Sequence, residues 1–185
     1  LVKKDLSLGE MIFYSTKKCI DSINSNYNLG IILLCAPLMK ALLKKPICLR
    51  KELRKVIKDT GALESNLVID AIKYANPGGL RKYKGVLNVL EKKKEEKKIY
   101  EIMSVSSSWD RISRCYVDNY SEIFDFGLPF FRNLKKRISR EKAIQILFLK
   151  YASKSPDSHL LRKFGSCKAY KVMKMFRISS VKILR

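Results

Sequence analysis

The sequence predicts an all-α fold, a multi-helix bundle in a single domain, and three observations carry that expectation. Apolar residues recur at spacings of three and four along most of the chain, and no stretch alternates apolar and polar over a strand's length. Proline, glycine, asparagine and serine punctuate the periodic stretches into helix-sized lengths. The 185 residues, 46% of them hydrophobic, suffice for a buried core.

The first helix is expected over Leu8 to Ile23, with Met11, Ile12, Tyr14, Ser15, Cys19 and Ile23 on its buried side. An Asn-rich turn follows, then a helix from Leu29 to Lys44 that is apolar nearly all round, as a central helix should be. Pro37 should bend that helix or end its first half. Lys45-Pro46 breaks the pattern; Leu49 to Lys58 and Leu63 to Ala75 are the third and fourth helices. Residues 81–96 read as a basic, poorly patterned loop. The longest helix is expected from Lys97 to Phe124, where Ile99, Ile102, Met103, Ser106, Trp109, Ile112, Tyr116, Tyr120 and Ile123 keep the period, and Gly127-Leu128-Pro129 should end that segment. Ser139 is placed to cap a helix from Arg140 to Ala152, and Ser155 to cap another with Pro156 at its first position. The tail beyond Tyr170 is basic and helix-like. The domain is therefore read as residues 1–170, with 171–185 as a basic C-terminal helix or tail.

Lys and Arg total 39 against 17 acids, a net charge of +22. Such a field attracts polyanions, whether nucleic acid, acidic membrane or nucleoside triphosphate, although the lysines are scattered rather than gathered on one helix. Cys19, Cys35, Cys48, Cys115 and Cys167 include no Cys-x-x-Cys pair, and His159 is the sole histidine, which argues against a zinc site. The cysteines read as buried thiols of a reducing cytoplasm, the expected location. The longest apolar run, Leu29 to Leu43, is interrupted by Pro37 and Lys40 and is too short to span a bilayer, so no membrane partner is expected.

Four polar islands interrupt this apolar, Lys-rich helical sequence. They are Asn24-Ser25-Asn26-Tyr27-Asn28-Leu29-Gly30; Asn76-Pro77-Gly78-Gly79-Leu80; Asp110-Arg111 with Arg114 and Tyr116; and Ser155-Pro156-Asp157-Ser158 with Arg162. Together they supply amides, exposed backbone N–H groups, carboxylates and guanidinium groups, the inventory a helical protein needs to hold a phosphorylated nucleotide. Each also has a structural reading. Asn28 is suited to cap the helix that follows, but one cap does not require three asparagines in five residues. Asn76-Pro77-Gly78-Gly79 is either a plain turn or a backbone nest for phosphate. Asp110 and Arg114, four apart, are either a surface ion pair or a partly buried pair beside Trp109, Ile112 and Tyr116. Asp157 and Ser158 suit a helix N-terminus, and His159 reads as solvated.

Taken in order, these stretches resemble the triphosphoribosyl-dephospho-CoA synthase family in its shorter, archaeal-type form. The resemblance is carried by residues 26–38, by Asp70-Ala71-Ile72-Lys73-Tyr74-Ala75-Asn76-Pro77-Gly78-Gly79-Leu80, by Trp109-Asp110-Arg111-Ile112-Ser113-Arg114-Cys115-Tyr116, by the Gly127-Leu128-Pro129 turn and by residues 155–163. It implies an all-α transferase that moves the triphosphoribosyl group of ATP onto dephospho-CoA, or a related acceptor hydroxyl, and expels adenine. ATP and dephospho-CoA would be the substrates, and Mg2+ would accompany the triphosphate. Displacement at the ribose C1′ passes through an oxocarbenium-like state and asks for a carboxylate, a donor to the departing adenine, and cations on the phosphates. Asp110 and Asp157 are the expected catalytic carboxylates. Asn24, Asn26, Asn28, Asn76, Gly78, Gly79, Arg111, Arg114, Tyr116, Ser158, Arg162 and Lys163 are the expected substrate-binding residues.

The sequence also departs from the family's pattern. It starts after an upstream segment with a Lys-Pro-Gly type motif, Arg81 replaces a further glycine, Gly85-Val86-Leu87-Asn88 stands where an acidic element is expected, and Cys115 replaces a common glutamine. The expectation is thus a truncated or diverged member, with turnover impaired by the missing segment. Two alternatives compete: a basic helical module that binds nucleic acid through charge and Tyr or Phe stacking, and a catalytically inactive paralogue that still binds nucleotide.

Overall fold

A computed structural model describes residues 5–77 and 96–183. Every regular element among them is helical: α1 (Leu8–Ile23), α2 (Leu29–Leu42), α3 (Leu49–Asp59), α4 (Ala62–Ala75), α5 (Ile99–Ser104), α6 (Arg111–Val117), a π-helical turn (Glu122–Gly127), α7 (Leu128–Leu134), α8 (Arg140–Lys154), α9 (Ser158–Phe164) and α10 (Ser166–Ile183). The all-α class is as expected, and no described helix is long and apolar enough to cross a membrane. The chain divides into two compact units, Leu1–Tyr120 and Ser121–Arg185, each described here by itself.

In the first unit, α1 begins with a capping box: the Ser7 hydroxyl accepts from the Glu10 N–H (3.2 Å) while the Glu10 carboxylate accepts from the Ser7 N–H (2.7 Å). Met11, Ile12 and Thr16 are the buried residues of its middle turns, whereas Tyr14 and Ile23 are exposed; the buried stripe runs one side round from the expected one. α1 lies along α4 so closely that a Cβ on Gly9 would stand 2.5 Å from the Glu64 carbonyl oxygen. α2 packs on α1 and α3, and α6 packs on α2 and α5.

Pro37 neither ends α2 nor leaves a gap in its bonding. Its missing N–H frees the carbonyl of Leu33, one turn back, and the buried Tyr116 hydroxyl donates to that oxygen at 2.6 Å. Tyr120 donates likewise to the Leu34 carbonyl at 3.1 Å. Burial pushes both phenols up from their ordinary values, which keeps both hydroxyls protonated as donors.

The long helix expected over Lys97 to Phe124 is instead broken. α5 ends at Ser104, a turn carries Val105 to Trp109, and Asp110 starts α6 as its N-cap. Four serines at 104 and 106–108 compete with the helix for backbone partners: the hydroxyl of Ser104 donates to the Glu101 carbonyl (2.6 Å) and that of Ser107 to the Ser104 carbonyl (2.8 Å). Asn119 and Tyr120 then both adopt left-handed backbone, φ 57° each, which ends α6 sharply.

In the second unit, Gly127-Leu128-Pro129 does not end the segment. The π turn runs straight into α7, where Pro129 sits in the first turn and needs no N–H. A Cβ on Gly127 would lie 2.0 Å from the Tyr151 hydroxyl, which donates to the Glu122 carbonyl of the same turn, so a larger residue there would displace that ring. Ser139 caps α8 as expected. Ser155 does not cap the next helix; it closes α8, and Asp157 is the N-cap of α9, accepting from the Leu160 N–H at 2.8 Å. Ala143, Ile146 and Ala169 make the buried contacts of α8 and α10, and the expected tail is part of α10.

Candidate functional site at one end of the first unit

Helix direction decides which islands meet. Gly9 touches Glu64 near the start of both helices, and the Tyr74 hydroxyl donates to the Asp21 carboxylate near their finish, so α1 and α4 run parallel. Their C-termini therefore lie at the same end, and each closes on an asparagine in the left-handed conformation: Asn24 (φ 48°) and Asn76 (φ 41°). Asparagine tolerates that backbone better than most residues, so both islands have a local structural cause.

α2 starts at this end. Asn28 occupies its N-cap position, but its side chain makes no capping bond; its amide lies 3.1 Å from the Cys19 sulfur on α1, joining the two helices. The expected cap is thus replaced by a cross-helix contact, and the first-turn amides of α2 are not satisfied by Asn28. α6 runs parallel to α2: a Cβ on Gly30 would stand 3.1 Å from the Ile112 side chain, and Tyr116 reaches Leu33 one turn further on. That places Asp110 and Arg111 level with Asn28 and Gly30.

The first and third islands and Asn76 of the second therefore share one end of the unit. Gly78 and Gly79 lie outside the described residues. The fourth island belongs to the second unit: Asp157 is exposed, Ser158 is half-buried, Lys163 is exposed, and Arg162 lies on α9.

Within this end the residues have distinct jobs. Asp110 accepts from the Ser113 N–H at 3.0 Å as a helix cap. In place of the expected same-face pairing with Asp110, Arg114 turns back and donates to the carbonyls of Ser107 (2.9 Å) and Ser108 (2.8 Å), holding the turn before α6. Tyr116 is buried with its hydroxyl committed to Leu33. Asn24 and Asn76 are exposed; Asn26, Asn28 and Arg111 are half-buried.

Two aromatics belong with this set and were not among the expected site residues. Tyr27 is 77% exposed between Asn26 and Asn28, and Trp109 is 47% exposed beside Asp110. Large, partly exposed aromatic rings beside amides and a carboxylate suit stacking on a planar base. Their signal in the sequence was an aromatic within the first polar island and another directly before the third.

Among the described residues no cluster of three or more His, Cys, Asp or Glu side chains is arranged to hold a metal ion by itself. Asp110 brings a single carboxylate to this end, which is compatible with Mg2+ held chiefly by a substrate's phosphates and water.

A family model described as CitG, ATP:dephospho-CoA triphosphoribosyl transferase, matches residues 2–179. No curated protein and no solved structure matches the chain.

Proposed function

The chain belongs to the ATP:dephospho-CoA triphosphoribosyl transferase family, and on that premise we propose that the shared end of the first unit receives ATP for transfer of its triphosphoribosyl group. What supports this reading is that the helix directions put Asn24, Asn28, Asn76, Asp110 and Arg111 toward one end of the unit, from segments far apart in sequence.

The parts match the demands of the reaction. The acceptor's hydroxyl oxygen forms a bond to C1′ of the ribose as the bond from C1′ to adenine breaks. The hydroxyl proton passes to a carboxylate, and adenine leaves with the electron pair of the broken bond and takes up one proton, so that one proton is lost by the acceptor and one gained by adenine. Positive charge develops on the ribose in between, and a carboxylate next to it lowers that barrier. Asp110 is the candidate in this unit, fixed in place by the cap it makes. The first-turn amides of α2 and Arg111 offer positive potential to phosphate oxygens. Asn24, Asn26, Asn28 and Asn76 offer amides to the sugar, and Tyr27 and Trp109 offer faces to the base. Mg2+, when bound with the triphosphate, would neutralise part of its charge, with Asp110 as a carboxylate at the same end. For Asp157, Ser158, Arg162 and Lys163 of the second unit, and for Gly78 and Gly79, a part in substrate binding is proposed from the family resemblance alone.

The test is direct. Purified protein with ATP, Mg2+ and dephospho-CoA should release free adenine, and the acceptor should gain the mass of the triphosphoribosyl group. Adenine release with dephospho-CoA omitted would instead mark a nucleosidase. Binding of ATP with neither product would mark a nucleotide-binding paralogue and overturn the transferase reading.

A further inference from the structure

The end of the first unit that carries Asn24 and Asn76 is held only lightly by apolar packing. α1 buries Leu8, Met11, Ile12 and Thr16 but no residue after Thr16; Cys19 and Ile20 are half-buried and Ile23 is exposed. After Ile69, the buried residues of α4 are Ala71 and Ala75, each offering one methyl group. So small an apolar area does little to fix the last turns of the two helices to each other.

A polar network spans that seam instead. The Tyr74 hydroxyl donates to one oxygen of the Asp21 carboxylate, and Lys17 donates to the other at 3.0 Å. The Lys17 ammonium also lies 3.5 Å from the Tyr74 hydroxyl and 5.0 Å from the centre of its ring, so the three groups close on one another, two from α1 and one from α4. All three side chains are exposed, and a network screened by water adds little to stability. Its place says more than its strength. Asp21 stands three residues before Asn24 and Tyr74 two before Asn76, each within one helical turn. Lys17, one turn before Asp21 on the same face of α1, holds the carboxylate so that its other oxygen meets α4.

Given this end as the ATP site, a reading on which the latch depends, we propose that Lys17, Asp21 and Tyr74 latch the two helix ends together and so set the spacing of Asn24 and Asn76 around one sugar. Tyr74 is then a positioning residue for the transfer. Asp110 belongs to α6 and not to the latch. Opening the latch should therefore weaken the hold on the sugar equally in the ground state and the transition state, which raises KM for ATP and leaves kcat in place. A merely structural part would do the opposite, because a smaller folded fraction lowers the apparent kcat without moving KM.

Adenine release by the full chain, measured over a range of ATP concentrations with dephospho-CoA in excess, tests the latch. Tyr74→Phe and Asp21→Ala should each raise KM for ATP about threefold or more, while kcat changes less than about twofold. Asp21→Asn keeps an oxygen that accepts from Tyr74 and should recover most of what Asp21→Ala loses. The double variant Y74F/D21A should be less than about twofold worse than either single variant, since each change breaks the same contact. Circular dichroism checks that each variant is folded, and if Tyr74→Phe is not, Asp21→Ala and Asp21→Asn carry the test. An unchanged KM in the single variants, a fall in kcat alone, equal losses in Asp21→Asn and Asp21→Ala, or additive losses in the double variant would each overturn the latch and leave the transferase reading standing. No adenine from the wild type would overturn that reading, and the latch with it.

Discussion

The bond from Tyr116 to Leu33 ties α6 to α2, and its energetic value depends on a residue it does not touch. Because Pro37 has no N–H, the Leu33 carbonyl has no helical partner, and Leu33 is only 5% exposed, so water does not substitute freely. Tyr116→Phe removes the donor and keeps the ring. The stranded carbonyl should then cost about 1–3 kcal/mol. In a Pro37→Ala background residue 37 regains an N–H aimed at the same oxygen, and the Tyr116→Phe change should cost less than about 1 kcal/mol. The coupling between the two sites should therefore be at least about 1 kcal/mol, beyond the roughly 0.3–0.5 kcal/mol scatter of independent sites. Pro37→Ala alone gains helix propensity of up to about 3 kcal/mol and loses part of a buried ring, so its own sign does not enter the test. Urea unfolding followed by fluorescence of Trp109, the sole tryptophan and in the same unit, gives all four free energies. Equal costs of Tyr116→Phe in both backgrounds, within about 0.5 kcal/mol, would refute the reasoning.

Other outcomes follow from the same geometry. Gly9→Ala forces a methyl against backbone of Glu64 and should destabilise by about 1–3 kcal/mol, whereas Gly61→Ala, with nothing within 4 Å, should change thermal stability far less. Asp110→Asn keeps a capping oxygen, so the melting temperature should barely move while adenine release falls by about a hundredfold or more; a stability loss with unchanged turnover would remove Asp110 from the chemistry. Hydrogen bonds from the Ser7 backbone and side chain hold the Glu10 carboxyl below its ordinary value, and the Tyr74 hydroxyl and then Lys17 do the same for Asp21. Both lowered groups contribute stability that is present above their unfolded values of 4.5 and 3.8 and is lost as the pH falls through the lower folded values. Thermal melts from neutral pH to about pH 3 should show this loss, and Glu10→Gln should flatten its first part.

How legible the molecule was in its sequence varied with the range of the forces involved. α1, α4 and the start of α8 follow from local signals, since Ser7 and Ser139 cap and Asn24 and Asn76 terminate within a turn of the helix they serve. The stretch after Lys97 was misread because the apolar period continues through Ser106 and Ile112 even though the backbone does not. The serine run and the Asp110 cap break it locally, and the Tyr116 and Tyr120 bonds to α2 fix the break from afar. Pro129 looked like a stop because its place after a π turn depends on Tyr151, twenty-two residues on. The candidate site residues were visible as polar islands, yet their structural roles were not: that Arg114 holds carbonyls and Asn28 meets Cys19 depends on how α6 and α1 pack.

The meeting of the first and third islands is best tested by photolabelling with an azido-adenine analogue of ATP, followed by mass mapping of the modified peptides. If the base stacks at this end, label should concentrate on the peptides holding Tyr27 and Trp109, compete away with ATP, and decline in Asn28→Ala. Label spread over unrelated peptides, or indifferent to Asn28, would contradict a nucleotide site there.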